Sequence, residues 1–174
     1  MFILVRTYSG EIVEKIIKGV YGSREKAKNM FFSMVRKDSL FLESGQPMID
    51  DEELKAVSSE IPGLPAHSSW EVQEIPSVIP KGTEQAFLLV EEVCEMANPE
   101  KNTKRVLLAT ESQDMAESEF NAAVERCPMF EKDENGEYSP IYSEVDPVSF
   151  SAHAWTHDNA EHVYYSVIPA KIEW

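Results

Sequence analysis

Three of the four histidines in this 174-residue chain, His153, His157 and His162, fall close together near its end. Neutral imidazole nitrogens with a neighbouring carboxylate suit zinc, and Asp158 and Glu161 lie between them. The surrounding residues read as a hairpin over 147–155 and 163–168, turning at His157-Asp158-Asn159. With a loop of two or four residues, period-two alternation places His153, Trp155 and His157 on the same face as His162 and Tyr164. Ala152, Ala154, Val163, Tyr165 and Val167 then take the other, core-like face, and an odd loop would undo the arrangement. A histidine and tryptophan strand face has two further readings, an interaction surface and ordinary packing. No closed tetrahedral spacing motif chooses among them.

Other chemistries leave no trace. There is no G-x-S-x-G, no phosphate-cradling loop and no G-x-G-x-x-G, and only seven glycines are present. Cys94 and Cys127 show no C-x-x-C spacing and read as reduced, packed thiols. Adjacent carboxylates such as Glu91-Glu92 are expected by chance in so acidic a chain and read as solvent-facing. The expectation is a non-enzymatic protein without a cofactor; the alternative is a metal- or small-ligand-binding domain, conceivably a hydrolase, using His153, His157, His162 and Trp155, with zinc as the metal.

Charge is more informative. The formal net charge is −15, which repels nucleic acid and favours basic surfaces. Through Thr83 there are 12 acids and 10 bases, net −2; from Glu84 onward there are 19 acids and 6 bases, net −13. The excess gathers on a helix read after Ser112, where Asp114, Glu117, Asn121 and Glu125 lie opposite the stripe Ala116, Phe120, Ala123, Val124 and Cys127. Glu111, Glu131, Asp133, Glu134 and Glu137 flank it. Spaced carboxylates on a rigid helix imitate phosphates, so this stripe fits the basic groove of a nucleic-acid-binding protein. The bland alternative is a solvated face that keeps the protein soluble.

The elements that position these residues come in pairs. Residues 20–35 carry a strand end, the cap Ser23, Glu25 in the first turn and the stripe Ala27, Met30, Phe31 and Met34. The same pattern returns at 109–124 with Ser112 as cap and Asp114 matching Glu25. Phe2 to Val5 matches Phe87 to Val90, Leu40-Phe41 matches Met129-Phe130, and 70–76 matches 163–169. Offsets of 85, 89 and 93 put insertions in the loops of the second copy. Strands are read over 2–8, 12–21, 70–75, 85–96 and 104–110, with a short one at 40–42 and a helical turn or acidic loop at 50–53. The Pro-Gly-Leu-Pro run at 62–65 forbids regular structure. The fold class expected is α+β: two tandem related ββαβ-type units at 1–76 and 85–174, joined by a linker at 77–84, each an antiparallel sheet covered by one amphipathic helix.

Gly19-Val20-Tyr21-Gly22-Ser23-Arg24-Glu25-Lys26-Ala27, preceded by a hairpin, resembles the G-V-[YF]-x-S-x-E-K-A segment of small bacterial and phage ββαβ domains. Most of these have no assigned function. The resemblance covers about the first eighty residues; in the second copy Ala109-Thr110-Glu111 departs from it. It implies fold and not activity. Small size, acidity and the lack of catalytic motifs suggest by analogy a phage-type inhibitor of the anti-CRISPR or anti-restriction kind, whose partner is a basic protein surface and not nucleic acid itself. The first helix is instead basic, with Arg24, Lys26, Lys28, Arg36 and Lys37, and can pair with the acidic copy of its own chain or of a second subunit in a homodimer. No apolar run approaches the roughly 20 residues that span a bilayer, and no secretory signal is legible, so a soluble, cytoplasmic protein is expected.

Overall fold

A computed structural model describes residues 1–10, 13–45, 47–59, 61–63, 66–139 and 141–174. Ile12, read as the start of the second strand, and Leu64 and Pro65 of the Pro-Gly-Leu-Pro run lie outside the described residues. The fold is α+β and mostly strand, and the described residues divide into two compact units, Met1–Ile75 with Lys171–Trp174, and Pro76–Ala170. None of their helices is long and apolar enough to cross a membrane.

In the first unit β1 (Phe2–Ser9) pairs antiparallel with β2 (Val13–Tyr21), and Ile3, Leu4 and Val5 are all buried, as an apolar run covered on both faces must be. The chain then enters α1 (Arg24–Val35), whose first turn is capped by the Ser23 hydroxyl accepting from the Lys26 N–H at 3.2 Å. Ala27, Phe31 and Val35 of α1 pack on Leu4, Tyr21 and Trp70, with Met30 and Met34 at the edge of the cluster. Residues 40–42 are not the short strand expected. They belong to α2 (Ser39–Glu43), because the Asp38 carboxylate accepts from the Leu40 N–H at 3.0 Å and starts a helical turn there. Two short strands, β3 (Met48–Asp50) and β4 (Lys55–Val57), are followed by β5 (His67–Glu74), giving the order β3-β4-β5-β1-β2.

In the second unit β6 (Ser77–Val78) precedes β7 (Gln85–Glu95), a short 3-10 turn at Pro99–Lys101, β8 (Thr103–Thr110) and α3 (Gln113–Arg126). The Ser112 hydroxyl caps α3 by accepting from the Met115 N–H at 3.2 Å. Ala116, Phe120, Ala123 and Val124 are its buried face, the last three packing on Leu89, Ala152, Ala154, Val163 and Tyr165. Three further strands complete the unit: β9 (Ser143–Asp146), β10 (Ser151–Trp155) and the first part of β11 (Glu161–Glu173).

The sheet is mixed where antiparallel pairing was expected. Ser77 and Val78, within the stretch read as a linker, run parallel to Ala109 and Thr110 of β8. Ile172 and Glu173, at the end of β11, run parallel to Val20 and Tyr21 of β2 and so belong to the first unit. Short parallel segments of this kind satisfy backbone groups at a strand edge without a helical crossover of their own.

Candidate functional site

The β10–β11 register opposes His153 to Tyr164 and Trp155 to His162. The turn closes with the Thr156 N–H donating to the Glu161 carbonyl at 3.0 Å and with Asn159 in the left-handed region at φ 57°. The loop is therefore even, so His153, Trp155, His162 and Tyr164 share one face. Ala152, Ala154, Val163 and Tyr165 turn the opposite way into the core beneath α3.

The three histidines do not converge. His153 Nε2 and His162 Nδ1 lie 2.9 Å apart in a direct hydrogen bond, whereas His157 stacks on Tyr142, ring centroids 4.0 Å apart, beyond the end of β10. Asp158 is taken up by the turn, accepting from the Thr156 hydroxyl at 2.7 Å and the Ala160 N–H at 3.2 Å, and Glu161 is exposed. Among the described residues no group of three or more His, Cys, Asp or Glu side chains is placed to hold a metal ion. Two imidazoles joined to each other, with His157 apart from them, leave the tetrahedral set expected for zinc incomplete in this arrangement.

What the face builds instead is a ring stack beside an acidic groove. The His153 and Tyr164 rings lie parallel within 9° with centroids 4.1 Å apart, and Trp155 leans against His153 at 4.8 Å. A groove of about 370 Å³ opens here, lined by Glu92, Glu144, Asp146, His153 and Tyr164 together with the Ser151 and Ser166 segments. Burial and the neighbouring His162 hold His153 below the ordinary histidine pKa, against the pull of Glu144, so its neutral form dominates. Burial, with Cys94 and Glu92 nearby, pushes the Tyr164 hydroxyl up, and the Ser149 hydroxyl and the Val148 N–H stabilise the ionised Asp146. His162 Nε2 is buried with no hydrogen-bond partner among the described residues.

The chain matches no protein-family model, no curated protein and no solved structure.

Glu144 and Asp146 were absent from the reading of the sequence, and Glu92 was read only as a solvent-facing carboxylate. Glu144 stands directly opposite His153 across β9 and β10, but Pro140 and Pro147 bracket β9 and its alternation is too short to register as a strand. Glu92 lies on β7 and pairs with Lys104 of β8 at 2.8 Å. Its neighbour Glu91 is not the solvent-facing carboxylate expected: it is 7 % exposed, accepts from the Tyr165 hydroxyl at 3.0 Å and bonds Arg105. Burial, then this hydrogen bond, keep the Tyr165 hydroxyl protonated.

The acidic helix residues take the places their periodicity implies. Asp114, Asn121 and Glu125 are exposed, Glu117 is half-buried, and Glu111, Glu131, Asp133, Glu134 and Glu137 are exposed around the ends of α3. Some are engaged locally. Glu117 accepts from the Gln113 amide at 2.7 Å, Glu125 meets Lys132 at 3.5 Å, and Asp133 accepts from the Asn135 and Glu137 N–H groups at 2.8 and 3.0 Å. Asp133 thus shapes the loop after α3 as well as adding charge to it.

Proposed function

We propose that the protein is a non-enzymatic, acidic interaction module of the phage-inhibitor type, whose α3 face occupies the basic groove of a cytoplasmic nucleic-acid-binding protein in place of nucleic acid. The observation that carries this reading is the division of α3 into a fully buried apolar face and an outward face bearing Asp114, Glu117, Asn121 and Glu125. From Asp114 to Glu125 the helix rises about 16 Å, a rigid support that holds its charges without further ordering.

The proposal includes descent of both units from one ββαβ-type ancestor. Its support is in the registers. A bulge interrupts β1–β2 between Leu4 and Val5, and another interrupts β7–β8 between Leu89 and Val90, at the matching pair of residues. Tyr21 and Thr110, which match in sequence, both sit at the hairpin end before a serine-capped helix. Both also receive a short parallel strand, from Glu173 and Val78 respectively. The copies then differ in outward charge, and the acidic one is the partner surface.

The test is capture from a bacterial lysate on the immobilised protein, at low and high salt, with duplex DNA as competitor. A basic nucleic-acid-binding protein retained at low salt, released by salt and displaced by DNA is the expected result. Retention that ignores both salt and DNA, or no retention, would sink the reading.

A further inference from the structure

The chain after α3 turns back on itself over residues 131–139, and Asn135-Gly136 lies at the tip of that turn. Its ends are tied by the Ser139 N–H donating to the Glu131 carbonyl at 2.9 Å and by the bridge of Lys132 to Tyr138. Asn135 is exposed, Gly136 stands at φ 82°, and a Cβ built on Gly136 would meet nothing within 4 Å. An asparagine followed by an open glycine is chemically labile, because the next backbone nitrogen can close a five-membered ring on the side-chain amide and no side chain crowds its approach. The other five asparagines each lack a part of this arrangement. Asn29 and Asn121 lie within α1 and α3, where the helical ladder directs the following N–H away from the side-chain amide. Asn98 precedes Pro99, which has no N–H, and Asn102 precedes the β-branched Thr103 and accepts from the Glu95 N–H at 2.8 Å. Asn159 precedes Ala160, whose methyl group crowds the approach and whose N–H donates to the Thr156 and Asp158 side chains at 3.1 and 3.2 Å.

We propose that Asn135 is a site of spontaneous covalent modification, deamidating through a succinimide to aspartate and isoaspartate, with Asp133 as the latch that sets the rate. The Gly136 nitrogen gives its proton to a solvent base and bonds to Asn135 Cγ; the Cγ–Nδ2 bond breaks and ammonia leaves, taking a proton from water. Water then opens the cyclic imide at either of its two carbonyls, giving aspartate or isoaspartate. The sum is one water taken up and one ammonia released, with nothing oxidised or reduced. In the folded turn the attacking group is engaged, because the Gly136 N–H donates to the Asp133 carbonyl at 3.0 Å. The Asp133 carboxylate holds the same turn closed, accepting from the Asn135 and Glu137 N–H groups at 2.8 and 3.0 Å, and the Glu137 bond first, then that from Asn135, keep it ionised. Attack therefore waits for a local opening, which an exposed tip with few contacts undergoes without unfolding the unit. Each event adds one carboxylate beside Glu131, Asp133, Glu134 and Glu137. The isoaspartyl product also inserts a methylene into the backbone before Gly136, so the bonds to Asp133 cannot re-form unchanged. The site stands whether or not the α3 face has a partner.

The test holds the full chain in mildly alkaline buffer, native in one series and unfolded in guanidinium chloride in the other, and samples both over time by isoelectric focusing and by peptide mapping with mass spectrometry. Asn135 is expected to be the first asparagine converted in the native chain, as two chromatographically separate products and one charge step toward a more acidic isoelectric point. Asn135→Gln is expected to lose that acidic form. Asp133→Ala is expected to gain it about fivefold faster than the wild type, because the bonds that close the turn are gone. Both positions are exposed, and near-UV circular dichroism checks that the variants fold. Earlier conversion of another asparagine in the native chain would overturn the assignment. So would the absence of product at Asn135 in the native chain by the time the unfolded chain has converted there completely, or an unchanged rate in Asp133→Ala.

Discussion

Asp38 carries more of the first unit than its place in a loop suggests. Its side chain is 1 % exposed and accepts from Arg6 Nε at 2.9 Å, the Ser68 hydroxyl at 2.9 Å, Trp70 Nε1 at 2.8 Å and the Leu40 N–H. Burial alone would raise its pKa; the bonds from Trp70 and Ser68, the Arg6 charge and the Leu40 amide outweigh it and hold the carboxyl below the ordinary aspartate value. Asp38→Ala removes one partner of a buried ion pair and strands the Trp70 and Ser68 donors, so a loss of about 3 kcal/mol is expected in urea denaturation followed by tryptophan fluorescence. The folded pKa lies below the unfolded value of about 3.9. The contribution is therefore complete above that value and disappears as pH falls through the folded one, so wild type and Asp38→Asn converge in stability only in strong acid. His153 behaves in the opposite charge sense. Because its folded pKa is lowered, the unfolded chain binds the extra proton first, and stability falls as pH drops from about 6.5 toward the folded value. An NMR titration of His153 is expected to give a midpoint below 6.5, moving upward in His162→Gln once the neighbouring ring no longer competes for the proton.

At the scale of elements, the last residues of β11 close the first unit. Ile172 is 3 % exposed and pairs with Val20, the Gly22 N–H donates to the Glu173 carbonyl at 2.9 Å, and Trp174 covers Gly22. A Cβ on Gly22 would meet the Trp174 ring at 2.1 Å, so alanine there has to displace the indole. Gly22→Ala is expected to cost about 1–3 kcal/mol in chemical denaturation. The same substitution combined with Trp174→Ala should cost less than the two single changes together. If the effects simply add, the contact is not what constrains residue 22. The helices were legible because both serine caps and both apolar stripes are local signals that packing reinforced. Residues 40–42 were misread because Leu-Phe-Leu has no period of its own, and the cap supplied by Asp38 decided its structure. The face holding His153, Trp155, His162 and Tyr164 followed from alternation once the loop length was even. That His157 leaves this face, and that Glu144 and Glu92 join it, depends on where a turn ends and which strands become neighbours, and neither has a local signature.

For the whole molecule, the excess of negative charge sits in residues 84–174, the stretch that holds both α3 and the groove. Charge placed on exposed positions contributes to encounter and specificity more than to folding. The triple variant Asp114→Asn, Glu117→Gln, Glu125→Gln should change folding stability by about 0.5 kcal/mol or less per site, since none of the three is buried. The same variant should lose the salt-sensitive capture of a basic partner. A large loss of stability in equilibrium unfolding, or undiminished capture, would mean that these carboxylates serve the fold and not a partner.

The parallel pairing of Ile172 and Glu173 with β2 also sets an order of events during synthesis. Domains made early usually fold while the rest of the chain is still being translated, N-terminal first. Here the hairpin β1–β2 and the helix α1 emerge early, but the edge of β2 beside Val20 and Tyr21 stays open until residues 172 and 173 have been made. The second unit, built from the continuous stretch Pro76–Ala170, has all its strands before then. The edge of β2 in the half that is translated first can therefore be covered only after every strand of the other half has been made.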